Sequence, residues 1–175
     1  MADIDSIKND TYTTDGVQYR TPAHPLMIAA LGRALWNFLS VEEQACAILN
    51  EVGTTTLAAA RALTAGEKER RLRRALGELR QRGAPQTLLA SFDQGIKDYC
   101  VARRRYRNGL AHAGLFTSGY DPDGTYKPGI SLEPKGQQKI VIAEAPDLHA
   151  IAIEIEDLSS GLGQARRQII EFLAQ

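Results

Sequence analysis

The stretch that decides the fold is the last helix-like segment, residues 147–174, which reads DLHAIAIEIEDLSSGLGQARRQIIEFLA. Its apolar residues recur three and four positions apart, which is the spacing of one face of an α-helix. The members of this stripe are Leu148, Ile151, Ile155, Leu158, Leu162, Ala165, Ile169 and Phe172. So regular a stripe predicts a long helix that buries one side, either in the core of the chain or against a second protein.

Four further segments upstream show helical periodicity or helix-capping patterns. Helices are predicted over residues 25–52, 56–63 and 65–81, and from Pro85 to Ala111. Thr64 and Glu67 have the spacing of a capping box at the start of the third of these helices. Gly53 and Gly83 are placed to end the helices before them. The sequence therefore predicts an all-α, antiparallel helical bundle.

Two segments do not fit the helical pattern. Residues 1–23 lack periodicity and are expected to form a flexible N-terminal arm, followed by a single domain over residues 24–175. Within that domain, residues 114–146 are rich in glycine, proline and aspartate and contain two short alternating runs, 129–133 and 139–143. Such runs predict a loop and β-hairpin insertion before the last helix.

The first long helix carries a carboxylate on its apolar face. The apolar stripe consists of Leu31, Leu35, Phe38, Ala45, Leu49 and Val52, and Glu42 fills the gap in it. Burying an unpaired carboxylate is costly, so Glu42 is expected to have a cationic partner. Residues 40–43 also match a capping box, so the helix could instead break and restart there. The unbroken stripe favours one continuous helix.

Composition excludes several classes of protein. A chain of 175 residues with 43% hydrophobic residues is long enough for one folded domain. Only two cysteines occur, Cys46 and Cys100, which fits a reducing cytoplasm. No signal peptide, no segment able to span a membrane and no metal or cofactor motif is recognised. The sequence thus predicts a cytoplasmic protein without cofactor, metal or membrane association.

Charge is balanced overall but unevenly distributed. The formal net charge is +0, yet residues 61–107 hold thirteen of the 21 Lys and Arg and only five of the 21 Asp and Glu. A local basic face of this kind is compatible with a phosphate-bearing ligand, although charge runs also form ordinary solvated faces.

The chemistry-bearing residues lie between Arg103 and Gly114, in the stretch RRRYRNGLAHAG. Arg107 can bind a phosphate as a planar, permanently charged fork. His112 is the side-chain type that takes and returns protons near neutral pH. This stretch combines both groups within about a turn and a half of a helix that is ending.

Arg107, Asn108 and His112 resemble the Arg-x4-6-His motif of the HEPN superfamily, the higher eukaryotes and prokaryotes nucleotide-binding domains. The likeness extends over residues 25–174, since HEPN domains are antiparallel helical bundles whose motif precedes a variable loop and a closing helix. Glu42 corresponds to an acidic residue that related proteins often carry on the first long helix. The resemblance implies a metal-independent endoribonuclease that acts as a homodimer, with two motifs forming one composite cleft.

The resemblance also implies a role for each motif residue. His112 would act as general base or acid, Arg107 would hold the scissile phosphate, and Asn108 would orient the histidine or donate to a phosphate oxygen. The products would be a 2′,3′-cyclic phosphate and a 5′-hydroxyl. Arg103 and Arg104 are expected to extend the phosphate track, and Tyr106 to stack on a base.

Structural roles compete with each of these assignments. His112 could cap a helix C-terminus, and Arg107 could be the partner of Glu42 in a buried ion pair. Asn108 could serve merely to end the helix. Arg103 and Arg104 could be solvated surface charges, and Tyr106 could pack in the core.

Three functions therefore remain open at this point. The first is an RNA-cleaving HEPN domain, a toxin or defence effector that an antitoxin or regulatory protein controls. The second is a non-catalytic HEPN-like module that binds nucleotides, RNA or a protein. The third is a helical interaction protein whose last-helix stripe is a partner surface.

Overall fold

The fold is an all-α helical bundle, as predicted. The computed structural model describes residues 11–14, 17–20, 25–107, 110, 114–120, 126–132, 141–143 and 145–175, with side chains for 27–106, 110 and 146–175. Within these residues the helices are α1 (Pro25–Glu51), α2 (Leu57–Ala62), α3 (Ala65–Gln81), α4 (Gln86–Val101), a π-helix (Ala102–Arg107) and α5 (Ala145–Leu173). Over the same residues, no helix combines the length and apolarity needed to cross a bilayer.

The helix ends follow from the capping residues seen in the sequence. The predicted capping box is present: the backbone N–H of Thr64 donates to Glu67 at 2.9 Å, and that of Glu67 donates to the Thr64 hydroxyl at 3.3 Å. Gly53 and Gly83 have φ values of 83° and 80°. Glycine adopts this left-handed conformation without the steric cost that a Cβ imposes, so α1 and α3 end where these glycines occur.

Two predictions concerning helix continuity have different outcomes. Helix α1 runs without interruption through residues 40–43, so the predicted continuity is confirmed and the alternative of a break there is wrong. The fourth helix was predicted as one α-helix to Ala111, but its first α-helical part ends at Val101, and Leu110 is α-helical again. After Val101 the chain continues as a π-helix, whose i→i+5 hydrogen bonds widen the turn.

The core lies where α5 packs against α1 and α4. The predicted α5 stripe faces this core: five of its members are fully buried and the other three are partly buried against them. Leu148, Ile155, Leu162, Ala165 and Ile169 are the fully buried members. The stripe is therefore part of the core of a single chain, which removes it as a partner surface.

The inner face of α1 differs from the predicted stripe at one position. Leu35 was predicted to point inward but is 42% exposed. Ala34 and Val41 lie at the inner face beside the predicted Phe38. Apolar spacing determines a face only to within one residue, and packing against α5 selects the row that is buried.

Two groups of short strands occur along the chain, one before α1 and one between the π-helix and α5. β1 (Thr11–Thr14) and β2 (Val17–Arg20) form an antiparallel hairpin within the segment predicted as an arm. β3 (Gly114–Tyr120), β4 (Tyr126–Leu132) and β5 (Val141–Ala143) form an antiparallel sheet in the order β3-β4-β5, inside the predicted insertion. β4 and β5 overlap the two alternating runs predicted as hairpin strands.

Helices α4 and α5 cross closely at Gly95. A Cβ at Gly95 would lie 3.3 Å from the Gly161 carbonyl oxygen and from the Leu162 Cα, both of which are backbone atoms of α5. We expect Gly95→Ala to lower the free energy of unfolding by about 1 kcal/mol, because overpacking costs about 1–3 kcal/mol and exceeds the gain in helix propensity. Urea unfolding measures this change.

Gly77 supplies the matched control, since a Cβ there meets nothing within 4 Å. Gly77→Ala should raise the free energy of unfolding by about 0.5–1 kcal/mol through helix propensity alone. A stabilising effect of both substitutions would contradict the close crossing at Gly95.

Candidate nucleic-acid interface

Three described residues close to Arg107 in the chain line one groove. Arg103 and Arg104 precede Arg107 in the chain and Leu110 follows it, and all three line an open groove of about 1330 Å³. Arg107 is the last residue of the π-helix. Asn108, His112 and the side chain of Arg107 lie outside the described residues. Two residues before Arg107 and one residue within the motif thus lie along this groove.

Three arginines share one carboxylate beside the groove. Arg103 Nη2 lies 2.6 Å from Glu69 Oε2, while Arg73 and Arg104 each place Nη2 3.3–3.4 Å from Glu69 Oε1. The side chains of Glu69 and Arg103 are 12% and 16% exposed, whereas that of Arg104 is 66% exposed. The cluster carries one negative and three positive charges, so it attracts anions.

The charge on Glu69 is maintained by its neighbours. Burial raises its pKa, but the hydrogen bonds from the Cys100 thiol and Arg73 and the charges of Arg103 and Arg104 outweigh burial and hold the pKa below the ordinary 4.5. Because the folded pKa lies below the unfolded one, Glu69 contributes stability above the unfolded pKa. That contribution is lost as the pH falls through the folded pKa.

Arg103 passes over the first turn of α3. A Cβ at Gly66 would lie 3.2 Å from the Arg103 Nη1 atom, so the glycine leaves room for the guanidinium. Together with the pairing to Glu69, this close approach fixes the partly buried side chain of Arg103 against α3. Arg103 is therefore not a free solvated charge, which was one of the alternatives raised from the sequence. The exposed Arg104 is closer to that description.

Glu42 has the cationic partner that its position requires. Its Oε2 atom pairs with Lys68 Nζ, and its Oε1 atom accepts a 2.8 Å hydrogen bond from the Tyr99 hydroxyl. The side chains of Lys68 and Glu42 are 8% and 15% exposed. The prediction of a partner is confirmed, and Lys68 is a partner that the sequence reasoning did not single out.

Tyr99 donates to Glu42 as a neutral phenol. Burial and the Glu42 carboxylate raise the pKa of Tyr99 far above its ordinary value of 10, so the hydroxyl remains a hydrogen-bond donor to the carboxylate. Its oxygen also lies 3.3 Å from the Ala65 carbonyl oxygen, at the start of α3. The Glu42 cluster therefore joins α1, α3 and α4 in the wall of the groove.

Tyr106 has the packing role rather than the stacking role. Its side chain is 5% exposed, and its hydroxyl donates to Glu154 on α5. The Arg105 guanidinium lies 5.1 Å from the ring centroid and 3.5 Å from a Glu154 oxygen. A base cannot stack on a ring held in the core. The spacing of Tyr99, Ala102 and Tyr106 along one helix face was the signal for this burial.

Aromatic surface does occur at the groove, at a residue that sequence reasoning did not assign. Trp36 on α1 lines the groove and is 74% exposed. The neighbouring Leu35 and Leu39 line it as well and are 42% and 61% exposed. Trp36 is the single tryptophan of the chain and lies off the buried stripe of α1, which was the available signal.

Comparison with protein-family models, curated proteins and solved structures finds no match for this chain.

Proposed function

We propose that this chain is a metal-independent endoribonuclease of HEPN type, active as a cytoplasmic homodimer. The cleavage products would be fragments with 2′,3′-cyclic phosphate and 5′-hydroxyl ends. Its cellular role would be that of a toxin or defence effector under the control of an antitoxin or regulatory protein.

One observation carries the proposal. Arg103, Arg104 and Leu110, which lie within four residues of Arg107 in the chain, line one groove, and the cluster of Arg103, Arg104 and Arg73 around Glu69 gives its border an excess of positive charge. An RNA backbone brings one negative charge per nucleotide, and arginine binds phosphate oxygens through its fork of N–H donors. A phosphate bound along this groove would lie beside the motif that supplies the proton-transfer group.

The proposed reaction needs one base, one acid and one cation. A histidine of the composite cleft takes the proton of the ribose 2′-hydroxyl, and the 2′-oxygen forms a bond to phosphorus. The bond from phosphorus to the 5′-oxygen breaks, and the second histidine gives that oxygen a proton. Arg107 stabilises the extra negative charge on the phosphorus oxygens while both bonds are partly formed.

Glu42 has a positioning role in this proposal. It is already bound to Lys68 and Tyr99 on the groove wall, so it is not free to take a proton from the substrate. Its contribution is to hold α1, α3 and α4 in the arrangement that forms the groove. Glu42 therefore acts on the reaction only through the position of other groups.

The proposal is tested by incubating the purified chain with total RNA and with transfer RNA in EDTA. Fragments whose 3′ ends carry a 2′,3′-cyclic phosphate by mass spectrometry are the expected result. An intact RNA substrate would overturn the catalytic proposal. If the protein still bound RNA, the non-catalytic HEPN-like module would replace it.

We expect Arg104→Gln to weaken RNA binding and to reduce its salt dependence. Arg104 is 66% exposed and only loosely paired with Glu69, so its guanidinium is available to a phosphate. Losing one phosphate contact should lower the slope of log Kd against log salt concentration by about 0.7 for single-stranded RNA. Fluorescence anisotropy with a labelled oligonucleotide over a range of salt concentrations gives this slope.

Arg80→Gln is the matched control for the charge change. Arg80 is exposed on the last turn of α3 and does not line the groove. Equal effects of the two substitutions would show that the groove is not where the phosphates bind.

A further inference from the structure

The exposed aromatic ring of Trp36 lies in a groove whose charged lining residues are mainly cationic. Five cationic side chains line it, against two carboxylates: Arg61, Lys68, Arg103, Arg104 and Arg166 against Glu42 and Glu43. Tryptophan is among the side chains that proteins bury extensively, and an exposure of 74% leaves both its ring and its apolar neighbours open to solvent. The groove therefore combines an aromatic surface with positive charge.

The positive charge is not spread evenly over the lining. Lys68 is neutralised by Glu42, Arg61 by Glu43, and Arg166 by Glu51. The excess is at Arg103 and Arg104, which share Glu69 with Arg73. A ligand that matches this groove needs an anionic part for these two arginines and a flat apolar part for Trp36.

A single-stranded RNA segment has both parts in its repeating unit. Its phosphates carry the negative charge, and its unpaired bases present a flat face that stacks on aromatic rings. In a double helix the bases are already stacked on one another, so their faces are not available to Trp36.

We infer that Trp36 is a base-stacking residue for single-stranded RNA, with Arg103 and Arg104 bound to the adjoining phosphates. This inference rests on the proposed function for its substrate class and adds to it the preference for unpaired strands. Stacking on a ring does not distinguish the four bases strongly, so Trp36 should confer binding to single strands with little sequence preference.

The test uses the His112→Ala variant of the full chain, so that bound RNA stays intact. The probe is a 12-nucleotide uridine oligomer, alone or annealed to its adenosine complement. Because Trp36 is the single tryptophan, the intrinsic fluorescence of the protein reports this one ring. We expect the single strand to quench the emission and the duplex to leave it unchanged.

Binding affinities provide the second readout. Adding Trp36→Ala should raise the Kd for the single strand about 5- to 150-fold, since base–aromatic stacking is worth about 1–3 kcal/mol. Trp36→Phe should recover most of the affinity. Ile28→Ala is the matched control, because Ile28 is 42% exposed on the same helix but does not line the groove. It should leave the Kd unchanged.

Three results would overturn the inference. In the first, single-stranded RNA binds without changing the tryptophan emission. In the second, Trp36→Ala leaves the Kd unchanged. In the third, the emission shifts with protein concentration alone, because a second copy of the chain covers the ring. The proposed cleavage is judged separately. Wild-type cleavage without dependence on Trp36 would refute only this inference, whereas Trp36-dependent binding without wild-type cleavage would refute only the catalytic proposal.

Discussion

Replacing His112 by alanine is expected to abolish RNA cleavage while leaving the helical bundle folded. A positioned general base or acid contributes about 10²–10⁴-fold to a rate, and both copies of the histidine are lost in a homodimer. The readout is the initial rate at which 2′,3′-cyclic phosphate ends appear in EDTA. Circular dichroism and size-exclusion chromatography establish that the variant retains its helices and its oligomeric state.

His149→Ala is the control for this substitution. His149 lies exposed in the first turns of α5 and has no role in the proposed reaction. The control should cleave at the wild-type rate. Cleavage by His112→Ala at that same rate would remove His112 from the mechanism and would leave the Arg-x4-6-His resemblance without catalytic meaning in this chain.

The second large effect is on stability and concerns the buried pair of Glu42 and Lys68. Lys68→Ala should lower the free energy of unfolding by about 3–5 kcal/mol, because it leaves a largely buried carboxylate without its cation. Tyr99 still donates to that carboxylate in the variant, but a neutral hydroxyl does not compensate for the lost charge. Urea unfolding monitored by circular dichroism measures the loss.

Two comparisons separate this effect from a general loss of surface charge. Lys97→Ala removes the partner of Asp93 in an exposed pair, where the side chains are 60% and 38% exposed, and should cost less than about 1 kcal/mol. The double variant Glu42→Leu, Lys68→Met should recover most of the lost stability, because it removes both buried charges at once. A double variant as unstable as Lys68→Ala would contradict the ion-pair explanation.

The sequence predicted the helices well because their signals are local. A capping box at Thr64 and Glu67 and glycines at positions 53 and 83 act within a few residues, and all three define helix ends in the structure. The α5 stripe also has a periodicity that only one face of a helix satisfies. These elements were predictable because each depends on neighbours in the chain rather than on distant packing.

The candidate site was less predictable, because its contacts join distant segments. The stripe on α1 showed that Glu42 needs a cation, but nothing in the sequence selects Lys68 over Arg107 as the partner. That choice depends on how α3 crosses α1. Glu69 likewise looked like one acidic residue on a basic helix, and only the approach of the π-helix makes it the shared partner of Arg103 and Arg104.

The π-helix illustrates a second limit. Its residues follow α4 without a proline or glycine that would announce a change, so the sequence predicted a continuous α-helix. Tyr106, to which the resemblance gave a base-stacking role, packs against α5. The π-helix contacts α1 and α5, and local helix propensity gives no signal of such contacts between distant segments.

The pairing of Glu69 with Arg103 and Arg104 has a consequence for the entropy of binding. Long arginine side chains lose conformational freedom when they are immobilised, at a cost of about 0.5–1.5 kcal/mol each when a ligand has to order them. Here the carboxylate already restricts the Arg103 side chain in the free protein. Part of that cost is met on folding, so an anion that enters the groove encounters one preorganised guanidinium group, that of Arg103.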